Sequence, residues 1–281
     1  MIIRSALSVS IALIGLCTTP FASAAFISPN TGSLGAAANG SNADSVLLGL
    51  GVVTAGADKA AYYNGIAGTN TVVPFQLGLN PAAASPFTIE FWANPATSDN
   101  DDTPVSNRDA VSANRSGWVF FQRAAGWNFR MYNGSGGGLG WDLTGGTSTL
   151  NSWSHVVATW NGSAATLYVN GVLADNTNDP AATGVYNANT STNINFLAAA
   201  TDTGSPYNGA VDEVAFYGTA LSAGQILNHF NAVSSATPGA YYSLIQSDGA
   251  RLQLSNVPEP SAIAMLAMAT VALGARRSRK R

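Results

Sequence analysis

The fold is decided by the stretch NSWSHVVATWNGSAATLYVNGVL, residues Asn151–Leu173. In the run Trp153–Trp160 successive side chains alternate between two faces, as a pleated strand requires. Asn161-Gly162 then provides residues that accept the positive φ of a hairpin turn. A second run, Thr166–Val169, is β-branched and aromatic and leads to another such pair, Asn170-Gly171. Two Asn-Gly turns between runs of this kind predict an antiparallel meander.

Three further motifs stand before and after this meander, at Tyr63–Gly65, Phe87–Trp92 and Gly209–Tyr217. Together with the W-x-H-V-x-x-T-W-N-G and L-Y-V-N-G motifs of the meander, they follow the order found in the LamG-like (laminin G-like, concanavalin A-like) family. The sequence resembles this family over residues 30–232. The resemblance implies an all-β protein with a concanavalin A-like antiparallel jelly-roll β-sandwich and one short C-terminal helix. It implies less about function, because one fold hosts unrelated activities.

Residues 26–256 show the pattern of one all-β sandwich domain, the predicted LamG-like domain. Short apolar runs alternate with turn residues, and no helical period appears before Leu221. About 230 residues suffice to bury a single core of this kind. Besides the meander, strands are predicted at Val46–Val53, Val72–Leu77, Phe87–Ala93, Trp118–Gln122, Asn128–Tyr132 and Leu139–Leu143.

A helix is predicted after these strands. Ser222 is its N-cap and Gln225 its third residue, which is the S-x-x-Q pattern of a capping box. Leu221, before the cap, can pack on Ile226 as a hydrophobic staple. The helix is predicted to end near Asn231 and to bury three apolar side chains, Ile226, Leu227 and Phe230.

Residues 240–254 are predicted to form a last hairpin that pairs back onto the sheet. Its strands are Tyr241–Gln246 and Arg251–Leu254, and its turn is Ser247-Asp248-Gly249. A turn of polar residues and glycine between two apolar runs is typical of such a hairpin.

Residues 1–25 are predicted to be a secretory signal peptide. Arg4 precedes an apolar run, Ala6–Leu16, and Ala22-Ser23-Ala24 matches a small-x-small cleavage site. A lipoprotein signal at Cys17 is the alternative, which the bulky residue before the cysteine disfavours. Removal of the signal leaves a mature chain without cysteine, so its stability rests on a core and not on disulfides.

Residues 257–281 resemble the PEP-CTERM sorting signal, which an exosortase reads. The motif is Val257-Pro258-Glu259-Pro260, and the apolar segment Ser261–Ala275 is the predicted transmembrane helix. Fifteen residues span about 22 Å at about 1.5 Å each, shorter than a hydrocarbon core of about 30 Å. The basic residues at 276–281 hold that end in the cytoplasm. A plain C-terminal anchor is the alternative.

These two segments predict export through the Sec pathway and transient anchoring in the inner membrane. The predicted destination is the cell surface or extracellular matrix of a Gram-negative-type bacterium. Between Phe26 and Asn256 there are six Lys or Arg and fourteen Asp or Glu, which gives a net charge of −8. Such a surface repels nucleic acid and anionic lipid, so neither is a predicted partner. The predicted partners are an exosortase-type sorting enzyme and an extracellular polysaccharide or surface protein.

No catalytic residue is predicted. Retaining glycosidases, some of which share this fold, hold two carboxylates about 5 Å apart. Glu90 has no second carboxylate near it in the sequence, and the adjacent Asp212 and Glu213 should point to opposite faces of a strand. A buried or loop-pinning role is expected for Asp212. His155 falls in a strand and His229 in the helix, where structural roles are expected.

Calcium is a candidate cofactor. Asp99, Asp101 and Asp102 form a loop of oxygen donors of the kind that calcium prefers. The loop is not an EF-hand, since its sixth position is Pro104 instead of glycine. A solvated acidic loop without metal is the alternative.

Five of the six tryptophans fall into two groups. Trp92, Trp153 and Trp160 are assigned to the core or its edge, because aromatic side chains in alternating strands are a large source of apolar burial. Trp127 and Trp141 flank a glycine-rich turn and are the candidates for an exposed glycan contact.

Three function classes follow from the sequence. The favoured one is an exported, non-catalytic cell-surface or extracellular-matrix protein that binds glycan or protein. The alternatives are a glycoside hydrolase or lyase acting on exopolysaccharide, and a purely structural matrix component.

Overall fold

The computed structural model describes residues 27–43, 46–53, 58–98, 101–109, 114–191, 193–196, 206–235 and 239–254. These residues form a β-sandwich of two antiparallel sheets with two short helices, consistent with a jelly roll. The predicted signal peptide and the predicted sorting segment lie outside the described residues. Within the described ranges, no helix is both long and apolar enough to cross a membrane.

Sixteen strands and two helices make up the sandwich. The helices, which lie between the last two strands, are α1 (Ala223–Ala232) and α2 (Ala240–Ser247). The strands are β1 (Ile27–Ser28), β2 (Gly40–Asn42), β3 (Leu47–Leu50), β4 (Lys59–Asn64), β5 (Thr71–Val73), β6 (Phe87–Pro95), β7 (Val105–Ser106), β8 (Trp118–Arg123), β9 (Gly126–Tyr132), β10 (Leu139–Gly145), β11 (Ser154–Trp160), β12 (Ala165–Val169), β13 (Val172–Asp175), β14 (Ile194–Phe196), β15 (Asn208–Tyr217) and β16 (Ala250–Leu254).

The strands divide into two sheets. Sheet 1 has the order β1-β2-β5-β14-β7-β8-β9-β10, and sheet 2 has the order β13-β12-β11-β6-β15-β4-β3, with β16 pairing on β15. The named strands pair antiparallel throughout. Both sheets contain neighbours that are distant in sequence, as in β15 beside β6, so the sandwich is closed by long connections and not by hairpins alone.

The central strands of sheet 2 are buried on both faces, whereas its edge strands β3 and β13 are largely exposed. All seven residues of β11 are buried, and their side chains divide between two apolar clusters. Val156, Ala158 and Trp160 pack in the core between the sheets, whereas Val157 packs on the outer face with residues of α1 and α2. This is the division that the alternation in the meander predicts. Polar groups on the covered outer face must therefore find their partners inside the protein.

The meander forms as predicted. β11 pairs with β12 in a register that places Val156 opposite Val169 and Trp160 opposite Ala165. Asn170 adopts the positive φ of 52° that its turn position was predicted to need. The other predicted strands are present, but β3 and β5 are shorter than predicted. β5 is short because the chain after Val73 leaves the sheet toward a 3-10 turn at Leu77–Leu79.

Helix α1 confirms the predicted capping box. The Ser222 hydroxyl accepts a hydrogen bond from the Gln225 N–H at 3.3 Å, and the Gln225 side chain accepts one from the Ser222 N–H at 3.0 Å. Ile226 is fully buried, as predicted, but the prediction for Leu227 is wrong, since that side chain is 43% exposed. Ile226 and His229 face the sheet, and a helix turns about 100° per residue, so Leu227 points away.

The prediction of a last hairpin is wrong for its first strand, at residues 240–247. They form helix α2, not a strand, because Tyr241 and Ile245 lie one helical turn apart and are both buried against sheet 2. The helix begins at Gly239, which takes a φ of 77° that favours glycine. The predicted second strand is correct: it is β16, and it pairs with β15.

Candidate functional site

The predicted acidic loop is only partly described. Asp99 lies outside the described residues. Asp101 has a φ of 70° and its carboxylate forms an ion pair with Arg123. Asp102 is 2% exposed and accepts a hydrogen bond from the Thr97 hydroxyl at 3.4 Å. Calcium binding by these three aspartates stays a prediction.

The two tryptophans predicted to contact glycan have different surroundings. The prediction for Trp127 is wrong: its side chain is fully buried in the core, edge-on to Phe91 at 6.3 Å between ring centres. Trp127 lies on β9, whose alternation turns its ring inward between the sheets. Trp141 is half-buried, and its Nε1–H donates to the Gly184 carbonyl at 3.2 Å. Trp141 therefore remains a candidate contact.

The tryptophans predicted for the core are confirmed. Trp92 and Trp160 are each 3% exposed, the first on the outer face of sheet 2 and the second between the sheets. Trp153 packs at the edge of the outer cluster. All three are therefore structural.

The outer face of sheet 1 collects most of the positive charge of the domain. Phe121 and Tyr132 form, with Val119, an apolar cluster that is separate from the core between the sheets. Guanidinium groups lie over these two rings at 5.4 to 5.9 Å from the ring centres. We call this surface the arginine face, and it consists of Arg108, Arg115, Arg123, Arg130, Phe121 and Tyr132.

Acidic and hydroxyl groups fix the arginines in place. Arg130 forms an ion pair with Asp142 at 2.9 Å between Nε and Oδ2. Arg108 donates from Nη1 to the Tyr132 hydroxyl at 3.0 Å. Paired guanidinium groups over aromatic rings lose little further conformational freedom when a ligand binds, so this face is preorganised. Sequence reasoning missed it, because these arginines are spread along the chain. The pairing of β8 with β9 brings Arg123 and Arg130 together, and the β7–β8 connection adds Arg108 and Arg115.

A buried polar network lies on the outer face of sheet 2, beneath the helices. His229 of α1 contacts Glu90 of β6 through Nδ1 and Asp248 through Nε2, both at 2.8 Å. Tyr217 of β15 donates its hydroxyl to Glu90 at 2.8 Å. The His155 ring lies 3.6 Å from Glu90, beyond hydrogen-bonding distance, as an electrostatic contact. We call this set the Glu90 network. It joins α1 to three strands, and these contacts are consistent with the structural roles expected for both histidines.

The Glu90 network shifts two pKa values in opposite directions. Burial acts to raise the pKa of Glu90, but the contacts with His155 and His229 outweigh it and lower the pKa to about 2. Burial acts to lower the pKa of His229, but Glu90 and Asp248 outweigh it and raise the pKa above its usual 6.5. An ionised glutamate and a protonated histidine therefore stabilise each other inside the protein.

Three carboxylates meet a short distance away, in what we call the acid cluster: Asp58, Asp212 and Glu213. Each offers an oxygen that lies within 4.8 Å of the other two, and the three residues are 6%, 1% and 1% exposed. The prediction that Asp212 and Glu213 point to opposite faces is wrong. Glu213 has a φ of 48° and lies in a β-bulge of β15, and the extra residue brings both side chains to one side.

Main-chain groups bind the acid cluster to the β3–β4 connection. Asp212 accepts the Val52 N–H at 2.8 Å and Asp58 accepts the Val53 N–H at 2.9 Å. Tyr242 of α2 donates its hydroxyl to Glu213 at 2.8 Å. Asp212 is therefore buried and pins a loop, as the sequence predicts.

The acid cluster has no room for a sugar. The cavity that borders Asp212 and Glu213 has a volume of about 10 Å³, which is close to the minimum that one water molecule needs. Three carboxylates at this spacing resemble the pairs of glycosidases, but these three are at most 6% exposed.

Comparisons with known proteins agree with this architecture. The family profile described as the Concanavalin A-like lectin/glucanases superfamily matches residues 67–227, more than half of the chain. No curated protein sequence matches the chain. The binding domain of Paraclostridial Mosquitocidal Protein 1 aligns with a TM-score of 0.57 and 19% identity, over 73% of this chain and 52% of its own.

Other solved structures align less closely. The binding domain of botulinum neurotoxin serotype G aligns with a TM-score of 0.53 and 16% identity, over 72% of this chain and 47% of its own. The chain thus spans about half the length of each toxin domain. A Trypanosoma rangeli sialidase aligns with a TM-score of 0.48 and 14% identity, over 70% and 30% of the two chains, which is too distant to bear on function.

At these identities the solved structures show the fold alone, whereas the profile match identifies the family. The matched residues run from before β5 to the first turn of α1, so they include the meander, the arginine face and both strands of sheet 2 that carry Glu90 and the β15 bulge. The chain belongs to the Concanavalin A-like lectin/glucanases superfamily.

Proposed function

We propose that this chain is a non-catalytic binding protein and that its ligand, a glycan or a surface protein, docks on the arginine face. The proposal rests on the arrangement of partly exposed arginine and aspartate side chains on this face. The side chains of Arg123 and Arg130 are each 22% exposed, and that of Asp101 is 47% exposed. Fixed donors and acceptors side by side suit sugar hydroxyl groups, each of which both donates and accepts.

The environment of the carboxylates supports a non-catalytic function. A glycosidase needs an acid and a base or nucleophile that both reach the substrate. Glu90 is enclosed by His229 and Tyr217, and the acid cluster is covered by α2 and the β3–β4 connection. The toxin domains that share the fold are named as binding domains, which is consistent with recognition by such a sandwich.

Export and sorting complete the proposal. Residues 1–25 direct the chain through the Sec pathway, and residues 257–281 anchor it transiently until an exosortase-type enzyme reads Val257–Pro260. The order of proline-glutamate-proline motif, apolar segment and basic tail supports this part. The mature protein then belongs to the cell surface or extracellular matrix, where polysaccharide and surface proteins are the available ligands.

A glycan array tests the binding function. We expect the purified protein to bind a limited set of glycans, and Arg123→Gln to weaken binding about tenfold, because one charge-assisted hydrogen bond contributes about 1.5–3 kcal/mol. Lys59→Gln is the matched control. It makes the same change of charge on sheet 2, far from the arginine face in the sheet order, and should leave binding unchanged.

Each alternative function predicts a different result. Release of reducing ends from the host's own polysaccharide would show a hydrolase or lyase. A protein that binds neither glycan nor host surface protein would be a purely structural matrix component. Equal losses in Arg123→Gln and Lys59→Gln would show that net charge, and not the arginine face, controls binding.

A further inference from the structure

The acid cluster concentrates negative charge without a basic partner. In the part of the chain that the structure describes, none of the hydrogen bonds and ion pairs of Asp58, Asp212 and Glu213 involves lysine, arginine or histidine. Three ionised carboxylates within 4.8 Å of one another repel strongly at this burial. Such a cluster persists only if it takes up protons or a cation.

One oxygen of the cluster receives no hydrogen bond from the residues that the structure describes. Glu213 Oε1 accepts the Tyr242 hydroxyl, but Glu213 Oε2 has no donor among them, although the residue is 1% exposed. A buried carboxylate oxygen without a donor is costly, and it calls for an explanation such as a bound ion. This observation is independent of the number of acids in the cluster.

The backbone around the cluster is shaped to leave room for it. A Cβ on Gly51 would lie 2.0 Å from Asp58 Oδ2 and 2.8 Å from Asp212 Oδ2. Only glycine therefore fits at this position. The N–H groups of Val52 and Val53, which follow it, donate hydrogen bonds to one oxygen of Asp212 and one oxygen of Asp58 and so fix the orientation of these carboxylates. Metal ligands are commonly oriented by hydrogen bonds of this kind.

We propose that Asp58, Asp212 and Glu213 bind one calcium ion, a site distinct from the predicted loop at Asp99, Asp101 and Asp102. Calcium takes oxygen ligands at about 2.3–2.6 Å, which allows oxygens around one ion to be up to about 5 Å apart. The spacing within 4.8 Å fits this geometry. Magnesium fits less well, because it usually retains several waters and the three carboxylate residues are at most 6% exposed.

The cation would join three parts of the fold. Asp58 precedes β4, the other two carboxylates lie on β15, and Tyr242 connects the cluster to α2.

Thermal unfolding of the purified full-length protein tests the site. The protein is first treated with EDTA and then unfolded at pH 7.5 with increasing calcium, with magnesium and sodium chloride as ionic controls. A ligand that binds only the folded state raises the midpoint, and a concentration about 100-fold above the dissociation constant should raise it by about 5–10 °C. Calorimetry should show one site per chain.

Two isosteric variants locate the ion. Glu213→Gln should abolish the calcium-induced rise, yet in EDTA it should be at least as stable as the wild type because it removes a repulsive charge; circular dichroism in EDTA verifies that it folds. Asp101→Asn should keep the full rise. The opposite pattern would place calcium at the predicted loop and overturn the proposal. No calcium response, with stability that increases as the pH falls, would show that the carboxyl groups share protons instead.

Discussion

Glu213 shows how one backbone conformation decides what a sequence pattern means. On a regular strand, adjacent residues point to opposite faces, and that rule separated Asp212 from Glu213. The positive φ of 48° at Glu213 breaks the alternation and brings both carboxylates into the acid cluster. Positive φ is uncommon for a residue other than glycine, and nothing in the local sequence signals it here. The candidate metal site could not be predicted for this reason.

Partners that are distant in sequence were missed for a related reason. Asp58 joins Asp212, and Asp248 joins His229, only after the strands and helices have assembled. A single sequence contains no record of such pairs. The structural roles of His155 and His229 were predictable, since each falls within an apolar pattern of its own element, but their shared contact with Glu90 was not.

The Glu90 network should make stability depend on pH. Glu90 has a lowered pKa, so its contribution is complete above about 4.5 and is lost as the pH falls toward 2. His229 has a raised pKa, so its contribution is complete below 6.5 and is lost as the pH rises through its folded value. We expect the network to stabilise the protein most between these limits.

The variant Asp248→Asn measures this effect. It keeps the shape of the side chain but removes a charge that raises the pKa of His229. At pH 6 we expect the free energy of unfolding to fall by about 1–3 kcal/mol, and the loss on raising the pH should be complete at a lower pH than in the wild type. The acid cluster also loses protons as the pH rises, but it does so in both proteins. The difference in free energy of unfolding between wild type and variant therefore reports on His229. A constant difference from pH 5 to pH 9 would contradict this account.

Elements defined by local contacts were predictable, and those defined by packing were not. The meander has its turn residues and alternation within 23 residues of sequence, Asn151–Leu173, and α1 has its complete capping box. Helix α2 has neither: its N-cap side makes no side-chain hydrogen bond, and its apolar residues fit both a strand and a helix. The helix forms because it allows both Tyr241 and Ile245 to be buried against sheet 2.

Removal of the α1 cap should destabilise the protein measurably. Ser222→Ala deletes the hydroxyl that accepts the Gln225 N–H, and the loss of such a cap costs about 0.5–2 kcal/mol. Chemical denaturation should show a lower midpoint with an unchanged slope. Ser243→Ala is the matched control, because Ser243 is exposed within α2 and exposed substitutions usually stay within about 0.5 kcal/mol. Equal midpoints for Ser222→Ala and the wild type would mean that the capping box does not stabilise α1.

The charge of the whole molecule is distributed unevenly. The composition of residues 26–256 gives a net charge of −8, from which the sequence predicts an acidic surface. The structure instead gathers four of the six basic residues of this region on the arginine face, each over an aromatic ring. That nucleic acid is not a partner stays a prediction, and Asp101 and Asp142 pair with two of these arginines. The expected glycan does change, because a ligand on the arginine face would contact paired positive and negative groups instead of a purely acidic surface.

The position of the two ends of the sandwich determines how far the domain could lie from the predicted sorting segment. β16 ends at Leu254, where it bridges Asn30 just after β1, so both ends of the described domain lie together at one place. The six residues 255–260 separate it from the apolar segment that begins at Ser261, and at about 3.3–3.6 Å each they reach at most about 20 Å. Before processing, the domain would therefore be held close to the membrane surface, with Val257–Pro260 within reach of an enzyme in the bilayer.

Substitution of the motif tests whether these residues are read as a sorting signal. In a host with the matching exosortase, we expect Glu259→Ala to leave the precursor uncleaved and in the inner-membrane fraction, because the recognition carboxylate is lost while the apolar segment and basic tail remain. Fractionation followed by the mass of the recovered chain measures both effects. Ser255→Ala, which lies outside the motif but within the same connection, is the control and should be processed normally. Normal processing and surface delivery of Glu259→Ala would show that residues 257–281 are a plain anchor.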